Sequence, residues 1–121
     1  MRRGAVVVAG IVMLTPVAAQ AMTVAEFLGK ADALQARGFT AMFSSDIGLL
    51  KEEIKSASTA YRADVAAGRP PRSCPPPLGT VKTSSDELLA AFRTVPAAER
   101  TRLSVRVAFA NYMAKRFPCK S

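Results

Sequence analysis

The longest helical pattern in the chain is DIGLLKEEIKSASTAYRADVAA, residues 46–67. Ile47, Leu50, Ile54, Ala57, Tyr61 and Val65 recur at steps of three and four. That spacing lines one side of an α-helix, and charged Lys51, Glu52, Lys55, Arg62 and Asp64 fall mostly beside the stripe. Gly68 and then Pro70-Pro71 stop it. The spacing predicts a helix over Asp46–Ala67, about 33 Å long at 1.5 Å per residue. A helix of that length with one apolar face needs partners on that face. It is expected to be the spine of an all-α domain.

Working outward toward the N-terminus, Phe39–Ser45 is a short apolar connection, with Ser44, Ser45 and Asp46 as candidate caps for the spine. Before it, Val24, Phe27, Leu28, Ala31 and Leu34 have helical spacing. Thr23 and Glu26 sit where a capping box places them, and Gly38 stands where a left-handed residue ends a helix. The expected helix is Val24–Arg37. Toward the C-terminus, Arg69–Thr83 holds Pro70, Pro71, Pro75, Pro76 and Pro77, which exclude both helix and ladder. It reads as an ordered, polyproline-stiffened loop. Ser84 to Glu87 suggests a second capping box opening a helix through Leu88, Leu89 and Phe92 to Arg93, and Pro96–Arg102 a turn or short helix. Ser104 can cap a last helix carrying Val105, Ala108, Phe109, Tyr112, Met113 and Phe117 on one side, ended by Pro118. Tyr61 and Tyr112 lie within apolar stripes and are expected in the core with wet hydroxyls. The whole is a small domain of four to five helices, with no stretch that alternates as a strand does.

The first residues indicate destination. Met1-Arg2-Arg3 is basic, Gly4–Leu14 is uncharged and apolar, Thr15-Pro16 breaks it, and Ala19-Gln20-Ala21 offers small residues to a signal peptidase. An apolar run of about eleven residues is too short to span a bilayer, which takes roughly twenty. Residues 1–21 are therefore expected to be a cleavable secretory signal, residues 22–121 the mature periplasmic domain, with no membrane span. The chain has two cysteines, Cys74 and Cys119, and no histidine. In an oxidising compartment, two thiols without a C-x-x-C spacing or a histidine partner read as a structural disulfide, not a metal site.

Charge is uneven. The chain carries +8 in all; residues 22–68 hold five basic and six acidic side chains, residues 69–121 ten basic and three acidic. Export makes nucleic acid an unsuitable partner for that basic half. Arg69, Arg72, Arg93, Arg100, Arg102 and Arg106 are candidates to dock an acidic partner, with Arg102 and Arg106 expected on one helix face. The same residues also read as a solvated helix face, and both readings stand at this point. Catalytic patterns do not assemble. Without histidine there is no Ser-His or Cys-His pair. Glu52-Glu53 and Asp86-Glu87 are adjacent and do not face each other, and no glycine loop cradles phosphate. The expectation is a non-enzymatic chain with no cofactor and no metal.

The back half carries a resemblance. Cys74-Pro75-Pro76, the helix Ser85–Arg93 with Glu87-Leu88-Leu89, Val95-Pro96 with Arg100 behind it, a final amphipathic helix and Phe117-Pro118-Cys119 follow in order. This arrangement, over Ser73–Lys120, is similar to the Rap/Tai-type immunity proteins of type VI secretion systems. The resemblance implies a small helical periplasmic protein, in some cases a homodimer. It implies binding to a cognate peptidoglycan amidase effector, whose cleft is occluded by a protruding loop. The corresponding loop is Arg69–Thr83. Two other classes remain. Met22–Leu28 is similar to the mature start of HdeA-like acid-stress chaperones, which work by protonating carboxylates; the mature chain has nine carboxylates against fifteen basic residues. The third is a cell-wall-associated helical protein.

Overall fold

A computed structural model describes Gly4, residues 22–80 and residues 82–120. Apart from Gly4, the expected signal peptide lies outside the described residues. Four α-helices follow one another: α1 (Val24–Arg37), α2 (Ser45–Ala66), α3 (Ser85–Arg93) and α4 (Val105–Arg116). Among the described residues there is no strand, only one isolated antiparallel bridge between Thr23 and Ser104. The domain is all-α, and no described helix is long and apolar enough to cross a membrane.

The bounds follow from local chemistry. Thr23, Ser44, Ser84 and Ser104 are extended residues whose hydroxyls accept from a backbone N–H of the first turn, so each helix starts where a cap removes an orphan donor. The two capping boxes form only by half. Thr23 and Ser84 accept from the N–H of Glu26 and Glu87, but no described side-chain bond returns from either glutamate to its cap. Glu87 instead reaches α4, where Tyr112 Oη and Arg116 Nη1 donate to its Oε2 at 3.3 and 3.4 Å. Gly38 ends α1 at φ 57°, ψ −128°. That is not the left-handed helical region expected but its extended mirror, which a residue with a Cβ strongly avoids. The expected connection after it is a 3₁₀-helix, Gly38–Phe43, with Phe39, Met42 and Phe43 exposed and Ala41 buried.

α2 and α4 make the most extensive helix pair, and α1 and α3 close over them. Tyr61 of α2 meets Phe109 of α4 edge-on at 5.8 Å, and Phe27 of α1 meets Phe92 of α3 edge-on at 5.3 Å. The segment 96–103 between α3 and α4 is a run of turns that docks on the start of α1. Leu103 O accepts from Val24 N at 2.9 Å, Arg100 O from Ala25 N at 2.9 Å, and Met22 O from Val105 N at 2.8 Å. The orphan donors of two helix starts thereby satisfy each other's flanking carbonyls.

α1 and α3 are also tied at the surface, where Arg93 Nη2 donates to Asp32 Oδ1 at 2.6 Å. That hydrogen bond, with the charges of Arg93 and Arg100, holds the Asp32 carboxyl below its ordinary range. A carboxyl depressed on folding contributes stability above its unfolded pKa and loses it as pH falls through the folded value. The Tm difference between the protein and Asp32→Asn should therefore be constant at neutral pH and shrink below about pH 4. Melts at pH 7 and pH 3 check this; an unchanged difference would mean that the pair does not survive in solution.

Candidate functional site

After α2, Gly68 at φ 69° turns the chain, and Arg69 N donates to Asp64 O at 2.9 Å. The proline-rich loop then runs back across the ends of α2 and α4. Its anchor is Ser73, a buried polar residue. Ser73 Oγ lies 2.6 Å from Tyr61 Oη, 3.2 Å from Met113 O and 3.1 Å from Phe117 O. Carbonyls only accept, so the one serine proton points at them, and Tyr61 must donate its own proton to Ser73 Oγ. The Tyr61 hydroxyl is therefore dry. The expected wet hydroxyl holds for Tyr112 alone, which meets Glu87 at the surface, because the loop returns to cover Tyr61. Beside Ser73, Cys74 N donates to Phe117 O at 2.8 Å and Cys74 is disulfide-bonded to Cys119, as expected.

Beyond the anchor, Arg62 Nη1 donates to Pro76 O at 3.1 Å, and Thr80 donates through both its N and its Oγ1 to Pro77 O. Gly79 at φ 85° lets Pro77–Thr80 close as a tight turn, a role glycine fills in the third position of such turns. The turn holds Leu78 at 75% exposure, a large apolar side chain in water on a fixed backbone. Ser73→Ala should lower stability by about 1–3 kcal/mol, the cost of leaving buried polar partners unmet. Adding Tyr61→Phe should cost less than the two single changes summed, because the second change removes a partner already stranded. A denaturant double-mutant cycle measures both; strict additivity would mean that the two hydroxyls are not coupled.

The six candidate arginines do not form one strip. Arg93 pairs with Asp32 and Arg69 with Asp64 at 3.1 Å. Arg100 turns inward, donating from Nε to Val95 O at 2.8 Å and from Nη2 to Arg93 O at 2.7 Å, so it caps the carbonyl end of α3. Arg102 and Arg106 do not share a helix face. Ser104 caps α4 between them, leaving Arg102 in the preceding turn and Arg106 in the first helical turn. Arg72, Arg102 and Arg106 are exposed and make no side-chain hydrogen bond or ion pair among the described residues. Half of the basic set is thus structural: Arg93 is held by an acceptor 61 residues away, Arg69 and Arg100 by acceptors close in sequence.

An apolar groove was not evident from the sequence. Ile47, Leu50 and Ile54 of the expected α2 core stripe stay only partly buried, whereas Ala57 and Tyr61 are fully covered. The N-terminal half of the stripe lines an open groove of about 550 Å³ between the helices, with the Leu78 turn at its edge. Helical spacing shows that a face is apolar but not whether a partner element reaches it. Ser73 also carried no local signal, since its partners stand 12, 40 and 44 residues away.

Chemically, the site offers recognition surfaces: a stiff loop with an apolar tip, three exposed guanidinium groups and an apolar groove. Among the described residues, no group of three or more His, Cys, Asp or Glu side chains converges to hold a metal ion. Compared with protein-family models, with curated proteins and with solved structures, the chain finds no match.

Proposed function

We propose that this chain is an exported binding protein of the immunity type, which occupies the cleft of a peptidoglycan-cleaving amidase effector and performs no catalysis of its own. The observation that carries the reading is the anchored loop. It is tied at Ser73 and Cys74, held again at Pro76, and ends in a turn that presents Leu78 to solvent. A projection already ordered in the free protein loses little entropy on entering a cleft. One buried apolar anchor can then dominate the binding energy. Arg72, Arg102 and Arg106 supply cationic groups to steer an acidic partner.

One contact at the other end of the domain suits a cleaved N-terminus. Met22 N donates to Glu53 Oε1 at 3.2 Å in a half-buried position. Cleavage after Ala21 would turn that nitrogen into an α-ammonium facing a carboxylate, strengthening the bond by charge.

The test is affinity capture at neutral pH from the source strain's envelope, with the tagged chain as bait. The expected result is one peptidoglycan amidase near equal stoichiometry. Leu78→Asp should weaken that complex by about 30-fold or more, the effect of losing an anchor worth roughly 2 kcal/mol. Failure to recover a hydrolase from an extract proven to contain one would overturn the proposal. Recovery with sedimented peptidoglycan, released by salt, would favour wall association. Capture of many unfolded clients after acidification would favour a chaperone.

A further inference from the structure

We infer that the groove is a binding site for the hydrocarbon chain of a long-chain fatty acid, with the carboxylate at Arg62. The groove shares Leu78 with the loop proposed to bind the amidase, and the two readings are separated by variants at Ile54 and Lys51, which line the groove and lie outside that loop. Its walls are apolar on several sides: Leu34 from α1, Leu50 and Ile54 from α2, Leu88 and Leu89 from α3, with Phe109 of α4 between them. Along α2 the lining runs from Ile47 to Arg62, a path of about 22 Å at 1.5 Å per residue. Apolar side chains make up most of its lining, with Gln35, Ser58, Thr83, Ser84 and Ser85 as the uncharged polar side chains, and its length suits an extended alkyl chain.

Charge selects the head group. Among the described residues, the only charged side chains lining the groove are Lys51 and Arg62, with no aspartate or glutamate. Both are cations on an otherwise uncharged surface, so an anionic amphiphile is complementary and a cationic one is repelled. Arg62 is the better seat. Its guanidinium is fixed by the bond to Pro76 O and by its position over the Tyr61 ring, 5.8 Å from the centroid. That single described bond uses one of the N–H groups and leaves others for a planar carboxylate, which a guanidinium fork matches. Lys51 lies three turns earlier on α2, beside the alkyl path, and adds attraction without a fixed geometry.

An open groove of about 550 Å³ falls in the range of clefts that hold one small molecule. A bound chain also accounts for the only partly buried state of Ile47, Leu50 and Ile54, positions whose spacing marks them as core.

The experiment is calorimetric titration of the full chain with palmitate below its micellar concentration, with hexadecanol and hexadecyltrimethylammonium as chain-matched controls. Palmitate should saturate at one per chain, and both controls should bind at least tenfold more weakly. Ile54→Glu, a change at a partly buried position, should abolish the titration while circular dichroism stays that of a folded helical protein. Arg62→Gln should weaken palmitate toward the level of hexadecanol, with Lys51→Gln giving a smaller loss. Absence of saturable palmitate binding would overturn the inference, as would binding indifferent to Ile54→Glu. So would an acidic amphipathic helical peptide that binds in an Ile54-sensitive way where palmitate does not. Amidase capture by the Ile54→Glu protein should be unchanged, so this result and that of the proposed function are read separately.

Discussion

Replacing Cys74 and Cys119 together by alanine is expected to lower the unfolding free energy by about 4 kcal/mol and Tm by roughly 15–30 °C. The cross-link spans 45 positions, so the reduced unfolded chain regains the entropy of a long loop. In a domain of this size the total margin is about 5–15 kcal/mol, so the loss takes much of it. The effect has a location as well as a magnitude. Cys74 follows Ser73, whose bonds reach Tyr61, Met113 and Phe117, and precedes the turn that carries Leu78. Opening the bridge frees one end of that loop while α2 and α4 keep their Tyr61–Phe109 contact. Partner affinity should therefore fall more than the population of folded protein does, because the loop must now be ordered on binding. Calorimetry of the oxidised protein, the thiol-reduced protein and the double variant checks the first part. A change of less than 1 kcal/mol would mean that the unfolded chain is already compact across this span.

Phe92→Ala should cost about 3–5 kcal/mol, the range for removing a buried aromatic ring from a core. Phe92 is 1% exposed and packs edge-on against Phe27, joining α3 to α1. With nine residues, α3 is too short to persist without packing. Besides Leu88 and the Arg100 bonds at its carbonyl end, its other fastenings, Asp32–Arg93 and Glu87–Arg116, are surface ion pairs, which add little. The substitution should thus release α3 before the rest of the domain. Hydrogen exchange should show lost protection over Leu88–Arg93 while α2 and α4 retain theirs. Phe92→Leu, which keeps most of the volume, should cost less than half as much. If α3 stays protected in Phe92→Ala, the surface pairs rather than the ring hold it, and the assignment of the core is wrong.

The helices were legible because their signals are local. Thr23, Ser84 and Ser104 act within three residues of themselves, and proline and glycine stop a helix where they stand. The observed bounds of α1 are the expected ones, and those of α2 are displaced by one residue at each end. Where a side chain had a choice of distant partners, the sequence was silent. Glu87 could return to its own cap or cross to Arg116, and it crosses because α4 places a cation and a phenol within reach. Arg93 and Arg100 look like surface charges in a list of residues, yet one binds Asp32, 61 residues away, and the other closes the end of α3.

The candidate site divides in the same way. Periodicity, caps and breakers determined an all-α chain, its helix positions and a stiff loop between the second and third helices, since those depend on a residue and its near neighbours. Cysteine content pointed to the disulfide by elimination. Tertiary structure alone decided that the loop is anchored through a buried Ser73–Tyr61 bond and that Leu78 stands out from it. It also decided that half of the α2 stripe faces a groove. Each of these depends on which surfaces meet across tens of residues, and hydrophobic spacing specifies a face without specifying what covers it.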